Sequence, residues 1–225
     1  MNVKGSSKQY SNCMIFVDFD DTIFNTKNFK REYFSVFKKA GISKELFDRT
    51  YYFKNGIDDG KIYHYEKHLE KLEKVTGKDL SETKKELVKF LENTSRFVFR
   101  DFWKFATLLK DQNKILLSFG CLPFQGIKIE SCGVTGEFDK VITTCGKKSR
   151  KIAKTLKTKK NGDKIFFLDD RPEQLEDVRE NIPNIFCIRI RRKSGRYFGL
   201  AMKKKYRVVE APDLLAAANL IKRLS

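Results

Sequence analysis

The sequence predicts an α/β protein: a Rossmann-like core on a parallel sheet, with an α-helical segment inserted after the first strand. Three observations predict it. Apolar runs of strand length recur at Met14–Val17, Ile115–Leu117 and Ile165–Leu168, each closed by a polar residue. Helical patterns alternate with strands over the second half of the chain, the alternation that builds parallel sheets. Between the first and second runs lies a long stretch of Lys, Glu, Leu and Phe at helical spacing, with no proline.

The elements follow in order. Met14-Ile15-Phe16-Val17 reads as a buried strand and runs straight into Asp18-Phe19-Asp20-Asp21-Thr22. Phe29, Tyr33, Phe34 and Phe37 share one helix face, closed by Gly41; Ser43 can cap a short helix at Lys44–Phe47. His64–Val75 and Leu80–Leu91 read as two further helices with Gly77 between them. Phe97–Leu109 reads as a helix that leads back toward the core. The second strand begins near Lys114 and ends at Ser118-Phe119-Gly120. A turn at Gly133–Gly136 precedes a short strand at Asp139–Thr143, and a lysine-rich helix starts at Gly146-Lys147-Lys148. Lys164–Leu168 is a strand ending in Asp169-Asp170. Pro172 opens a helix to Asn181, since proline suits a first turn. Ile185–Ile190 is the next strand, Tyr206–Val209 a last short one, and Leu214–Leu224 the final helix after Pro212.

A buried strand that ends in Asp-x-Asp is costly if the acids stay unpaired in the interior. The economical resolution places them at the C-terminal edge of the sheet, where ligands bind in open α/β folds, holding a cation. A divalent metal can take an oxygen from Asp18 and a backbone carbonyl near Asp20, leaving the Asp20 side chain for proton transfer. A solvated turn is the plain alternative. The later strands bring a hydroxyl at Ser118 and two acids at Asp169 and Asp170, with lysines between them. Together these make a metal-plus-phosphate site.

On these residues the chain resembles the haloacid dehalogenase (HAD) superfamily of phosphohydrolases. Asp18-Phe19-Asp20-Asp21-Thr22 is similar to the first family motif, Ser118 to the second, Lys148 (or failing that Lys147) to the third, and Asp169-Asp170 to the fourth in its Asp-Asp form. The commoner fourth motif carries another Asp four residues on, where this chain has Gln174. The resemblance implies a helical C1-type cap over residues 25–103, inserted into a core of residues 1–24 and 104–225. It implies Asp18 as nucleophile, forming an aspartyl-phosphate. Asp20 would be the general acid and base. Mg²⁺ would be held by Asp18, Asp20, Asp170 and Asp169, with the phosphate at Thr22, Ser118, Phe119, Gly120 and Lys148 or Lys147. The expected activity is a Mg²⁺-dependent phosphatase acting on a small phosphorylated metabolite. A second acid at Asp20 separates this pattern from the dehalogenase branch, which lacks it.

Charge widens the choice of substrate. The chain of 225 residues has a formal net charge of +18, and from Arg189 to Arg207 it has nine Lys or Arg and no acid. Because this run follows a strand, it should lie at the active-site edge. It fits a nucleotide or a nucleic-acid end, with Tyr197, Phe198 and Tyr206 available to stack bases. It fits equally a solvated basic face. A non-catalytic nucleic-acid-binding protein is the alternative of another class, against which stands the retention of both Asp18 and Asp20. His64 and His68 are four apart, but no third ligand is near, so zinc is not expected. Trp103 and the insertion's aromatics read as core. Five scattered cysteines read as free thiols of a cytoplasmic protein, and the expectations include no signal segment and no membrane span.

Overall fold

The computed structural model describes residues 13–51, 53–54, 61–120, 123–157, 164–203, 205–206 and 208–225. Six strands form one parallel sheet in the order β5-β4-β1-β6-β7-β8. They are β1 (Cys13–Val17), β4 (Asn113–Phe119), β5 (Lys140–Thr144), β6 (Lys164–Asp169), β7 (Phe186–Ile190) and β8 (Val209–Ala211). β1 lies between β4 and β6, pairing Val17 with Leu116 and with Leu168. Strand β8 begins later than the sequence suggests, at Val209; of the expected segment, Arg207 lies outside the described residues.

Both faces of the sheet are covered, which is why its strands read as continuous apolar runs rather than alternating ones. Ile15, Val17, Leu116, Phe166 and Leu168 face one core, shared with α5 (Asp101–Leu108), α6 (Phe124–Ser131) and α9 (Leu214–Leu224). Met14, Phe16, Ile115, Leu117 and Phe167 face the other, under α7 (Lys148–Leu156) and α8 (Pro172–Asn181). Helix α6 and a short antiparallel pair, β2 (Phe53–Lys54) with β3 (Lys61–Ile62), were not expected from sequence.

The insertion between β1 and β4 contains α1 (Thr26–Lys39), α2 (Lys44–Tyr51), α3 (Tyr65–Thr76) and α4 (Ser81–Glu92). Asn25 caps α1 through a side-chain bond from the Asn28 N–H at 3.0 Å, and Gly77 closes α3 at φ +67°, where a side chain would be strained. Its interior is aromatic: Phe29, Tyr33, Phe37 and Phe47 are buried. His68 is also buried and bonded at both ring nitrogens, to Thr50 (2.9 Å) and to Tyr63 (3.1 Å), so it fills the core rather than holding zinc.

Two chain segments join insertion and core. They bind each other through Asn25 N–H to Phe97 O at 2.7 Å and Phe99 N–H to Ile23 O at 2.9 Å. Arg192, buried, staples this crossing: its guanidinium donates to Thr22 O (2.9 Å) and Asp101 (2.8 Å) and stacks on Phe99. The expected helix from Phe97 divides into a 3-10 turn, Ser95–Phe97, and α5, which packs against α9. Trp103 departs from expectation and is 43% exposed, because the buried side of α5 is taken by Phe102, Phe105 and Ala106.

Cys13, Cys132 and Cys187 are buried free thiols, whereas Cys145 is disulfide-bonded, so the expectation of free thiols fails there. Cys121 lies outside the described residues. Among the described residues no helix is long and apolar enough to cross a membrane.

Candidate active site

Strand alternation sorts the polar residues at the C-terminal edge into two groups. Met14 and Phe16 face the α7 side, and Asp18 continues that face; Phe167 and Asp169 do the same on β6. Asp18 stays in the ladder through its N–H to Leu168 O at 2.8 Å. The two acids meet the first residue of α7. Lys148 Nζ donates to Asp18 Oδ1 and, at 2.6 Å, to Asp169 Oδ2, with its side chain wholly buried. Lys147 points away, with a largely exposed side chain 2.9 Å from Asp177. Of the two candidate lysines, the structure brings only Lys148 to the acids.

Asp18, Asp169 and Asp170 are all buried, with carboxylate oxygens within 4.8 Å of one another. Asp169 also accepts from the Arg171 N–H at 2.8 Å. Neither oxygen of Asp170 has a hydrogen-bond partner among the described residues. Were all three carboxylates ionised, the one ammonium would leave two negative charges uncompensated. Burial, then the field of Asp169 and Asp18, pushes the Asp170 carboxyl far above the usual range. Burial likewise raises Asp18, partly opposed by Lys148.

The second group lies toward α6. Ser118 follows Leu116 on that face and accepts from Gln125 Nε2 at 2.7 Å. The same amide reaches Asp20 Oδ2 at 2.8 Å, and Lys128, one turn on, binds Asp20 Oδ1 at 2.6 Å. Thr26 donates to that oxygen too, at 2.6 Å. Burial alone would raise the Asp20 pKa; Lys128 and these hydrogen bonds outweigh it and hold it at about 2. Asp20 is therefore an ionised acceptor here. Gly120 sits where a Cβ would come within 2.8 Å of Gln125 Cγ, so glycine is needed for the close approach.

The remaining candidates are nearby. Asp21 turns the loop at φ +58°, a conformation that Asp tolerates better than most residues, and lies 3.2 Å from Arg196 Nη2. The Thr22 hydroxyl is buried without a partner among the described residues, while its carbonyl is fixed by Arg192. Phe119 is 40% exposed at the mouth. Gln125, Lys128 and Thr26 carry no motif signal in the sequence, the one available sign being the Gln125/Lys128 spacing of three after Pro123, whereas Arg196 belongs to the basic run expected at this edge.

Among the described residues of the basic run, Arg189 and Arg192 are buried within the structure, while Lys193, Arg196, Lys203 and Lys205 are exposed. Arg189 and Arg191 pair with Glu210 at 3.0 and 2.9 Å, Arg192 with Asp101, and Lys203 with Glu176 at 3.0 Å. Arg196 remains half exposed at the mouth.

No family model matches the chain, and no curated protein matches it in sequence. Solved structures do. A chain from Burkholderia xenovorans LB400, assigned as a haloacid dehalogenase-like hydrolase, superposes with TM-score 0.64 at 13% identity, covering 94% of this chain and 97% of that one. The L-2-haloacid dehalogenase of Xanthobacter autotrophicus, with chloropropionic acid covalently bound, gives 0.62 at 10% identity over 94% and 99%. A Bacillus subtilis chain assigned as a HAD-hydrolase, bound to magnesium, gives 0.62 at 11% over 93% and 98%. From its parallel strand order to the acids at its sheet edge, and matched nearly end to end by these structures, the chain has the haloacid dehalogenase-like hydrolase fold.

Proposed function

We propose that the protein is a Mg²⁺-dependent phosphatase that hydrolyses phosphomonoesters through an aspartyl-phosphate on Asp18. The observation that carries this is Asp170, buried beside Asp18 and Asp169 with both oxygens unpartnered among the described residues. With all three acids ionised, the cluster's deficit of two positive charges is that of one hard divalent cation, for which clustered carboxylate oxygens are the right donors. Asp18 and Asp170, with Asp169 beside them, would hold the ion, which when bound lowers the repulsion between the attacking carboxylate and a dianionic phosphate.

The chain's own residues do the rest. Lys148 orients Asp18 and, with Ser118 and the start of α7, offers positive charge and donors to phosphoryl oxygens, the main source of acceleration in phosphoryl transfer. Asp20 takes the proton of the attacking water in the second half-reaction, and its ionised state suits that role. In the first half-reaction the leaving oxygen needs a proton. Asp20 would take that proton from solvent as the incoming phosphate anion raises its proton affinity, while Lys128, 2.6 Å away, holds the carboxyl in place. Displacement of halide from a neutral carbon is the chemistry of some chains with this fold, but it leaves the negative charge around Asp170 without a purpose.

Phosphate release from sugar phosphates, nucleotides and phosphorylated oligonucleotides, measured with Mg²⁺ and with chelator, tests this reading. Release that requires metal and vanishes in Asp18→Asn is expected. Metal-independent turnover, or an active Asp18→Asn protein, refutes it.

A further inference from the structure

The mouth of the site is lined by flat rings and guanidinium groups. Arg171, next to Asp170, has its Cζ 5.5 Å from the Phe119 ring centroid and 5.4 Å from that of Tyr197. Arg196 lies over the same Tyr197 ring at 4.8 Å while pairing with Asp21 in the first loop. The array therefore touches three site-forming segments: the ends of β4 and β6 and the loop after β1. It is held from beneath, where the buried Arg189 donates to the Tyr197 carbonyl at 2.6 Å. Phe119 is 40% exposed and the Arg196 side chain 46%, so one ring and one charge are open to a ligand, while Tyr197 is part-buried.

A sugar phosphate offers hydroxyls, which call for carboxylates and amides. An alternation of aromatic rings and guanidinium planes instead matches a flat π-system carrying phosphate, because bases stack on rings and on Arg while cations meet the backbone. We propose that Phe119, Arg171, Tyr197 and Arg196 form a nucleotide-recognition surface: the substrate is a nucleoside phosphomonoester, its base held on these rings and its remaining charge met by Arg196. This rests on the phosphatase reading and names its substrate class. The nucleotide can be free or the terminal unit of a strand.

The test compares kcat/KM for ribose 5-phosphate, AMP and a 5′-phosphorylated oligonucleotide in the wild type, Tyr197→Ala and Tyr197→Phe. Binding of the same three compounds to Asp18→Asn is followed in parallel by calorimetry. The wild type should prefer AMP over ribose 5-phosphate by at least about tenfold, as one stacked base allows. Tyr197→Ala should bring that ratio close to one, and Tyr197→Phe should keep it. Equal use of AMP and ribose 5-phosphate, or a preference that survives Tyr197→Ala, overturns the proposal. If Tyr197→Ala is misfolded, the ratio in Phe119→Ala decides by the same criterion. If nothing is hydrolysed, the phosphatase reading fails by itself. Base-dependent binding to Asp18→Asn would then still support the surface, and equal binding would overturn it. A preference for the oligonucleotide that falls steeply with salt assigns the strand end as source; a preference for AMP assigns the free nucleotide.

Discussion

Replacing Lys148 by Met removes the one ammonium between Asp18 and Asp169 and leaves the volume nearly unchanged. Asp18, Asp169 and Asp170 then face one another, buried, with no cation. Breaking a buried ion pair by deleting one partner costs about 3–5 kcal/mol, because the other charge stays behind. For a chain of this size each kcal/mol moves Tm by about 2–4 °C, so the chelated variant should melt about 6–20 °C below the wild type. The loss should shrink as pH falls from 8 to 6, since Asp18, raised to about 7, takes up a proton in that window, whereas Asp170, raised to about 9, already carries one. Saturating Mg²⁺ should restore several degrees, as it binds only the folded cluster. Differential scanning calorimetry in chelator and in Mg²⁺ reads both effects. A Lys148→Met protein that melts within 2 °C of the wild type in chelator would show that Lys148 does not compensate these acids, and the charge count behind the metal site would fall with it.

Two further outcomes are expected. Burial draws the His68 pKa down from 6.5 to about 4. With the folded value depressed, the unfolded chain binds the proton first, so stability present above pH 6.5 is lost as pH falls toward 4. The loss is at most about 3 kcal/mol. Urea midpoints at pH 7.5 and 4.5 should therefore fall further for the wild type than for His68→Gln, and equal falls would contradict it. Gly120→Ala pushes a methyl against Gln125, which should part the amide from Ser118 and Asp20. Turnover should drop about tenfold or more, in the range of a mispositioned catalytic group, with Tm lowered by only a few degrees. Unchanged turnover would mean that the Gln125 bridge has no part in the reaction.

The strands and most helices were legible in the sequence because their signals are local. An apolar run of strand length closed by acids, a 3.6-residue stripe of Phe29, Tyr33 and Phe37, and Gly77 after a helix each report on a few neighbouring residues. The parallel sheet follows from their alternation, and so does the gathering of Asp18, Ser118 and Asp169 at one edge, since parallel strands all point the same way. Which side chains meet there was decided by the tertiary structure. Lys147 and Lys148 differ by one position, about 100° around a helix, and only the angle at which α7 leaves its turn puts Lys148 against Asp18. Helix α6 escaped notice because it is covered on more than one side, by the sheet and by α4, so no clear polar stripe marks it. Its Gln125 and Lys128 nonetheless fix Asp20. The basic run shows the same division. Its charge is written in the sequence, but which arginines are consumed by Glu210, Asp101 and Thr22, and which stands open over Tyr197, depends on acids and carbonyls brought from distant parts of the chain.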